Sequence, residues 1–166
     1  MANTYTKPPI RAAISIGGFL RFAAKGRCIM TLEYWIEKYN KKAPEPFMRD
    51  EKFQLFYVPD KGVCEIGMSD DMLILRCLST SNVFYWKNAA EDIARKVGIK
   101  IIGTWCVRRE IMAYIRLFGY RIIKTEELED GLNRYRCRNK EGKQARVSPS
   151  FVFENGRQAY FVTWEV

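Results

Sequence analysis

Side chains that could take part in acid–base chemistry occur first in a run of short apolar segments, where Glu65, Asp70 and Asp71 are found. A carboxylate can accept the proton that an attacking amine loses, so Glu65 is a candidate general base. Glu65 alternates with Cys64 and Ile66 along a predicted strand, and the sequence leaves open which face it occupies. The simpler interpretation is a solvent-exposed strand glutamate followed by a polar turn.

A second candidate site is the polar segment Ser79-Thr80-Ser81-Asn82, which lies between an apolar run and an amphipathic helix. All of these residue types are common helix N-caps. A helix N-terminus carries partial positive charge, so together with the hydroxyl groups this segment could bind an anion. Arg108 and Arg109, at the start of a later predicted helix, are further candidates for a phosphate contact.

A third candidate site is a basic segment late in the chain. Its basic residues are Arg134, Arg136, Arg138, Lys140, Lys143 and Arg146. A strand here would place the three arginines on one face, about 7 Å apart, with Tyr135 and Cys137 on the other. Repulsion between these charges favours an anionic partner, either nucleic acid or an acidic protein. The alternative is an exposed edge strand that its charges protect from aggregation.

The chain has no histidine, which excludes Ser–His and Cys–His nucleophiles and removes the commonest metal ligand. Its cysteines are Cys28, Cys64, Cys77, Cys106 and Cys137. They are widely spaced and odd in number, so we expect reduced thiols in a cytoplasmic protein and no metal site. We expect no membrane span either, because no apolar run reaches about 18 residues.

The composition, 48% hydrophobic and 28% charged over 166 residues, is typical of one soluble globular domain. The net charge of +9 raises attraction for polyanions. We therefore expect a single domain over residues 1–166. It would comprise an N-terminal strand and helix region (1–50), a core (50–125) and basic C-terminal hairpins (126–166).

Hydrophobic periodicity and turn residues predict the elements that position these sites. In the N-terminal region we expect a strand over residues 10–16 and a helix that Thr31 caps. The predicted core strands cover residues 53–58, 63–68, 72–78, 99–107 and 120–125, with helices over 83–97 and 108–118. In the C-terminal region we expect a strand over 134–138 and a hairpin of 150–153 with 159–164 around Asn155-Gly156.

The stretch from Ile101 to Ile123 reads strand, short helix, strand, and the helix ends at Gly119-Tyr120. Glycine can end a helix in a left-handed turn, after which the aromatic residue begins the next strand against the core. This ending and the order of elements over residues 50–125 resemble the GNAT superfamily of N-acyltransferases.

In that family the strand equivalent to residues 72–78 ends at a loop that holds the phosphates of acyl-CoA. The strand equivalent to 99–107 splays from its neighbour, and acyl-CoA lies in the opening. The resemblance implies an α/β (α+β) fold with a GNAT-like mixed sheet: an antiparallel meander, then β-α-β-α-β and a C-terminal hairpin. It implies acetyl-CoA as the cofactor, with contacts from Leu78, Ser79, Thr80, Ser81, Asn82 and Arg108.

The sequence also departs from the family pattern. The family's phosphate loop reads Q/R-x-x-G-x-G/A, whereas residues 79–86 contain no glycine. The family's frequent tyrosine, a general acid four residues before the helix-ending glycine, corresponds to Ile115. Tyr114 lies about 100° around the helix from that position, so it does not simply substitute, although it is the nearest candidate acid. The resemblance therefore implies an N-acyltransferase-like protein with weak or no catalysis.

Small GNAT-like proteins of tailed phages keep the same strand–helix–strand core without the glycine loop. This chain is similar to them in size and over residues 108–120, which implies a phage-related protein of the cytoplasm or the virion. The sequence leaves open a different function, a non-enzymatic basic module that binds nucleic acid or an acidic partner protein through residues 134–146. It indicates neither the acceptor substrate nor the oligomeric state.

Overall fold

The computed structural model describes residues 30–107 and 111–166. The predicted strand over 10–16, Cys28, Arg108 and Arg109 therefore lie outside the described residues. The helices are α1 (Leu32–Asn40), α2 (Val83–Val97) and α3 (Ile111–Leu117). The strands are β1 (Gln54–Val58), β2 (Gly62–Ser69), β3 (Met72–Thr80), β4 (Ile101–Cys106), β5 (Arg121–Glu127), β6 (Asn133–Arg138), β7 (Gln144–Val152) and β8 (Gln158–Glu165).

All eight strands of the described residues join one open mixed sheet in the order β1-β2-β3-β4-β8-β7-β6-β5. Every neighbouring pair is antiparallel except β3 and β4, which are parallel. The prediction of an α+β fold with a mixed sheet is confirmed. Within 30–107 and 111–166, the helices are too short or too polar for any of them to traverse a bilayer.

The helices α2 and α3 cover one face of the sheet, which we call the helix-covered face. On this face Leu75 and Ile102 pack against Trp86 of α2. Farther along the sheet, Val147 and Val162 belong to a second core cluster, which α3 completes. Side chains alternate along a strand, so neighbours of these core residues point to the opposite face. The helix α1 packs against β2 and β3.

Local signals in the sequence predicted the helix ends correctly. Thr31 caps α1, because its hydroxyl accepts a hydrogen bond from Tyr34 N–H. Asn82 caps α2 in the same way, and Gly98 ends that helix in the left-handed region with φ of 77°. Gly119 is also left-handed, with φ of 83°.

The end of α3 shows what glycine followed by an aromatic residue does at this position. Gly119 N–H donates to the carbonyl of Arg116, and Tyr120 N–H donates to that of Ile115. These bonds satisfy carbonyl groups that the helix end would otherwise leave unpaired. Tyr120 is then buried in the core cluster under α3, as the sequence predicted.

The C-terminal hairpin was predicted too short. The structure extends its first strand back to Gln144, although β7 contains Pro149. Proline cannot donate to a ladder and is tolerated at bulges. The register of β7 and β8 shifts between Pro149 and Val152, which accommodates it. The other strand boundaries differ from the prediction by at most two residues.

Candidate functional site

The parallel strands β3 and β4 separate part of the way along their length. Their register pairs Met72 with Ile101 and ends where Leu75 pairs with Thr104. The Thr104 hydroxyl donates to the Leu75 carbonyl at 3.0 Å, within the last pair of this register. Beyond it β3 continues to Thr80 and β4 to Cys106 without further pairing between them.

An irregularity in β3 lies where the two strands separate. Glu65 of β2 opposes Arg76, whereas Val63 opposes Ser79, so β3 contains one residue more than β2 between these pairs. Cys77 has a φ of 52° there, which is uncommon for a residue other than glycine. An extra residue bends the strand and turns side chains away from regular alternation. The bulge therefore directs the end of β3 away from β4.

A cleft of about 1100 Å³ occupies the gap between β3 and β4. From the helix-covered face it is lined by Val83, Lys87, Ile111, Tyr114, Ile115 and Phe118. From the opposite face it is lined by residues after α1 and by the β7–β8 hairpin, including Lys42, Phe151, Phe153 and Arg157. Arg157 Nη1 donates to the Lys42 carbonyl at 3.2 Å, so the hairpin touches the segment after α1. Residues on both faces of the sheet thus line the cleft.

The polar segment at the start of α2 lies at the cleft, but its side chains bind within the chain. The Thr80 hydroxyl donates to the Lys61 carbonyl at 2.6 Å, and the Ser81 hydroxyl donates to the Asp60 carbonyl at 3.1 Å. Asn82 Oδ1 accepts from Tyr85 N–H. These bonds fasten the segment to the β1–β2 turn and cap α2.

Of the predicted cofactor-binding residues, the structure brings four to the cleft. They are Leu78, Ser79, Thr80 and Ser81. Asn82 is not part of the lining, and Arg108 lies outside the described residues. The sequence interpretation missed Lys87, which lines the cleft one turn into α2, forms an ion pair with Glu91 and lies 5.8 Å from the Phe118 ring centre. The sequence indicated Lys87 only by placing a cation about one turn after the N-cap of a predicted helix.

Tyr114 lines the cleft, although its spacing from Gly119 differs by one residue from the family pattern. Ile115, at the family position, is also in the lining and is buried. The short α3 thus presents both residues to the gap. Tyr114 stays a prediction as a general acid.

Glu65 does not line the cleft. It is completely buried, and its expected exposure to solvent was wrong. Arg49 Nη1 donates to Oε1 at 2.6 Å, and Arg76 Nε lies 3.1 Å from Oε2 in an ion pair without hydrogen-bond geometry. Both guanidinium groups and this carboxylate form one ion-pair network with Asp50, which binds Arg76 Nη1 at 2.9 Å. Such surroundings favour a structural role for Glu65.

Asp70 and Asp71 form the exposed β2–β3 turn, at the end of β3 that lies away from the cleft. Asp70 has a φ of 52°, which aspartate tolerates in tight turns. The structure therefore does not bring these two carboxylates together with Glu65.

Two cysteines, Cys77 and Cys106, line the cleft. Burial raises the pKa of the Cys77 thiol, while hydrogen bonds with Arg76 and Tyr39 partly oppose the shift. A raised pKa lowers the thiolate fraction at neutral pH and makes a thiol a poorer nucleophile. The four cysteines in the described ranges form no disulfide, and residues 30–107 and 111–166 contain no cluster suited to a metal ion.

The basic segment forms β6 and the start of β7, and β6 is an interior strand between β5 and β7. The alternative interpretation as an edge strand is therefore wrong. Arg136, Arg138, Lys140 and Arg146 are exposed. Arg134 lies 3.6 Å from Glu126, and Lys143 lies 3.7 Å from Glu141, so these two charges are partly compensated.

The register adds two cations that the sequence interpretation missed. Arg121 opposes Arg138, and Lys124 opposes Arg136. On its other side Arg136 faces Arg146 of β7. These residues are distant in sequence, and only strand pairing brings them together.

Neither a protein-family model, nor a curated protein, nor a solved structure matches this chain.

Proposed function

We propose that this protein has a GNAT-like fold and that the cleft between β3 and β4 binds the pantetheine arm of an acyl-CoA, with weak or no acyl transfer. The observation that carries the proposal is the parallel pairing that ends at Leu75 and Thr104. Beyond this point a cleft of about 1100 Å³ opens between the two strands. The order of elements before and after the cleft, with Gly119-Tyr120 ending α3, supports the same fold.

An extended ligand with amide groups suits this cleft. Residues after Leu75 form no ladder with β4, so one edge of β3 faces the cleft. Backbone groups at an unpaired strand edge bind extended chains by adding a strand-like partner. Leu78, Phe118 and Ile115 give the lining apolar surface that a methylene-rich arm can contact.

The phosphate end of such a ligand would lie at the start of α2. Lys87 and the N-terminus of α2 are the positive groups that the described residues place there. Thr80 and Ser81 use their hydroxyl hydrogens within the chain, and no glycine opens the backbone to a diphosphate. We therefore expect the arm to contribute more affinity than the phosphates do.

Catalysis would require a base for the acceptor amine and an acid for the departing thiolate. The amine nitrogen would form a bond to the thioester carbonyl carbon and lose one proton to water. The carbon–sulfur bond would break with a proton transferred to sulfur. Tyr114 is the candidate donor of that proton, since it lies in the cleft wall. Glu65 is buried among arginine partners, which makes it a poor base for an amine in the cleft. Transfer should be slow for this reason.

Calorimetric titration with acetyl-CoA, CoA and acetyl-pantetheine tests the proposal. We expect acetyl-CoA and acetyl-pantetheine to bind with similar dissociation constants of about 100 μM or weaker. Cys106→Trp should abolish binding because it fills the cleft, whereas Cys106→Ser is the matched control and should bind as before. Thermal unfolding of both variants checks that they are folded.

The possible results separate the two halves of the proposal. Absence of any heat at millimolar acetyl-CoA and acetyl-pantetheine would refute acyl-arm binding. Low-micromolar binding of acetyl-CoA with none of acetyl-pantetheine would show an intact phosphate site and refute the eroded one. A thiol-release assay with amine acceptors measures transfer, and Tyr114→Phe should reduce any activity without changing the affinity for acetyl-CoA.

A further inference from the structure

A group of exposed cations covers the sheet face opposite α3. We call it the basic face, and its members are Arg121, Lys124, Arg136, Arg138 and Arg146. They share this face because each opposes another member across a strand pair. Cys137, which lies between Arg136 and Arg138 on β6, points the other way, into the core under α3.

The charges of the basic face are unfavourably arranged in the isolated chain. Arg136 has a cation directly opposite on each side, Lys124 on β5 and Arg146 on β7. Like charges directly opposite each other destabilise a sheet. None of the five forms an ion pair within the described residues. Glu126 and Glu141, which lie in the same region, pair with Arg134 and Lys143 instead. Of the undescribed residues, 1–29 contain no aspartate or glutamate, and 108–110 contain one, Glu110.

Two aromatic side chains, the half-buried Phe161 and the exposed Trp105, continue the same face toward the middle of the sheet. Thr163 opposes Arg146, and Phe161 is two residues from Thr163, so Phe161 shares the face of Arg146. Phe161 in turn opposes Trp105 of β4, with ring centres 4.9 Å apart. Trp105 is 42% exposed. One exposed tryptophan thus lies on the same face as the cations.

We propose that the basic face binds single-stranded nucleic acid, with phosphates on the β5–β7 cations and a base stacked on Trp105. Cations that follow the backbone and aromatic rings that stack bases are the combination by which proteins bind single strands. A major groove admits a helix or a two-stranded ribbon, whereas this face belongs to a broad sheet, so duplex is the poorer fit. An acidic protein would use the cations but has no need of the exposed tryptophan.

The cations of the basic face lie on β5, β6 and β7, and none of them lines the acyl-binding cleft. Trp105 lines the cleft as well, so it belongs to both proposed sites. The two proposals can fail separately. Titration of Arg136→Ser/Arg146→Ser with acetyl-pantetheine tells which one has failed, because both substitutions lie outside the cleft.

Fluorescence anisotropy with labelled 15-nucleotide oligo(dT) and oligo(U), each over a salt series, tests the proposal. We compare Arg136→Ser/Arg146→Ser with the control Lys96→Ser/Lys100→Ser, which removes the same charge from exposed positions outside the basic face. The first variant should bind at least ten-fold more weakly and lower the slope of log K against log salt by about 1.4, while the control changes affinity less than about two-fold. The oligo(dT) and oligo(U) arms show whether the sugar matters.

Trp105 provides a readout that charge alone would not change. Trp105→Ser should weaken binding about five-fold or more with the salt slope unchanged, because stacking is lost and no charge is removed. Trp105→Phe should keep most of the affinity and lose most of the quenching of tryptophan fluorescence on binding. Circular dichroism and thermal unfolding confirm the fold of each variant.

Three results would overturn the proposal. Equal losses in the two double variants would mean that net charge, not this face, attracts the strand. Duplex of the same length binding as tightly as the single strand would reject the stated partner. Competition by poly-glutamate as effective as that by unlabelled oligonucleotide, with no effect of Trp105→Ser, would indicate an acidic protein instead.

Discussion

The buried ion-pair network of Glu65 provides the sharpest test of how the sheet is held together. Glu65→Gln keeps the size of the side chain and removes its charge. Glu65 is fully buried, while the side chains of Arg49 and Arg76 are 44% and 29% exposed. The substitution therefore leaves two guanidinium groups that have lost their shared partner but can recover part of their hydration from water.

The expected magnitude lies between two limits. Breaking a fully buried pair by removing one partner costs about 3–5 kcal/mol, whereas exposed pairs contribute about 0–1 kcal/mol. Because the carboxylate is buried and both arginines are partly exposed, we expect Glu65→Gln to lower the free energy of unfolding by about 2–3 kcal/mol. For a chain of this size the midpoint of thermal unfolding should fall by about 5–10 °C.

Urea denaturation at neutral pH measures the effect, with Glu127→Gln as the control. Glu127 is an exposed glutamate on β5, and its substitution should change stability by less than about 0.5 kcal/mol. A double-mutant cycle with Asp50→Asn adds a second test, because both carboxylates bind Arg76. The two losses should be non-additive by at least about 0.5 kcal/mol.

A loss no larger than that of Glu127→Gln would refute the structural role of the network. If Glu65→Gln were as stable as the unchanged protein and yet lost acyl transfer, Glu65 would be the general base that its sequence position first suggested. Stability and activity thus distinguish the two roles of one residue.

Three further changes test particular contacts. Gly119→Ala should destabilise by about 1–2 kcal/mol through its left-handed backbone alone, since a Cβ there meets no atom within 4 Å; urea unfolding that shows no loss contradicts this. Gly103→Ala should cost about 1–3 kcal/mol in the same assay, because its Cβ would lie 2.6 Å from Phe161 and 3.0 Å from Ile74; Phe161→Leu should relieve part of that cost. Burial raises the pKa of Tyr120 to about 12, above the value of about 10 expected in the unfolded chain. The unfolded chain therefore loses this proton at a lower pH than the native state does, and the free energy of unfolding should fall as pH rises from about 10 to 12. Tyr120→Phe should remove this fall.

The sequence was most informative where structure depends on neighbours along the chain. Thr31, Asn82, Gly98 and Gly119 act as caps or helix ends, and each effect is local. The same holds for the hairpin turn at Gly156, which is left-handed with φ of 77°. Element order followed from these signals and from hydrophobic periodicity.

The sequence was least informative where function depends on register between distant strands. Glu65 pairs with Arg76 on the neighbouring strand β3 and with Arg49 in the segment before β1. The alternation of side chains along β2 could not predict which face of the sheet Glu65 occupies. Arg121 and Lys124 join the basic face only because β5 pairs with β6. The pattern of residues within β5 or β6 does not show which strand pairs with it.

The position of β8 connects the cleft with the basic face. β8 pairs with β4 from Ile101 to Cys106, past the point where β3 and β4 separate. β4 is therefore held by the C-terminal strands, while β3 is held by β2 along its whole length, apart from the bulge. On the side away from the cleft, the backbone of β3 bonds to β2 and that of β4 bonds to β8. Backbone groups are therefore left without a strand partner only on the sides of β3 and β4 that face the cleft. Because β8 pairs with β4, the strands β7, β6 and β5 extend the same sheet beyond β8. The basic face lies on this extension.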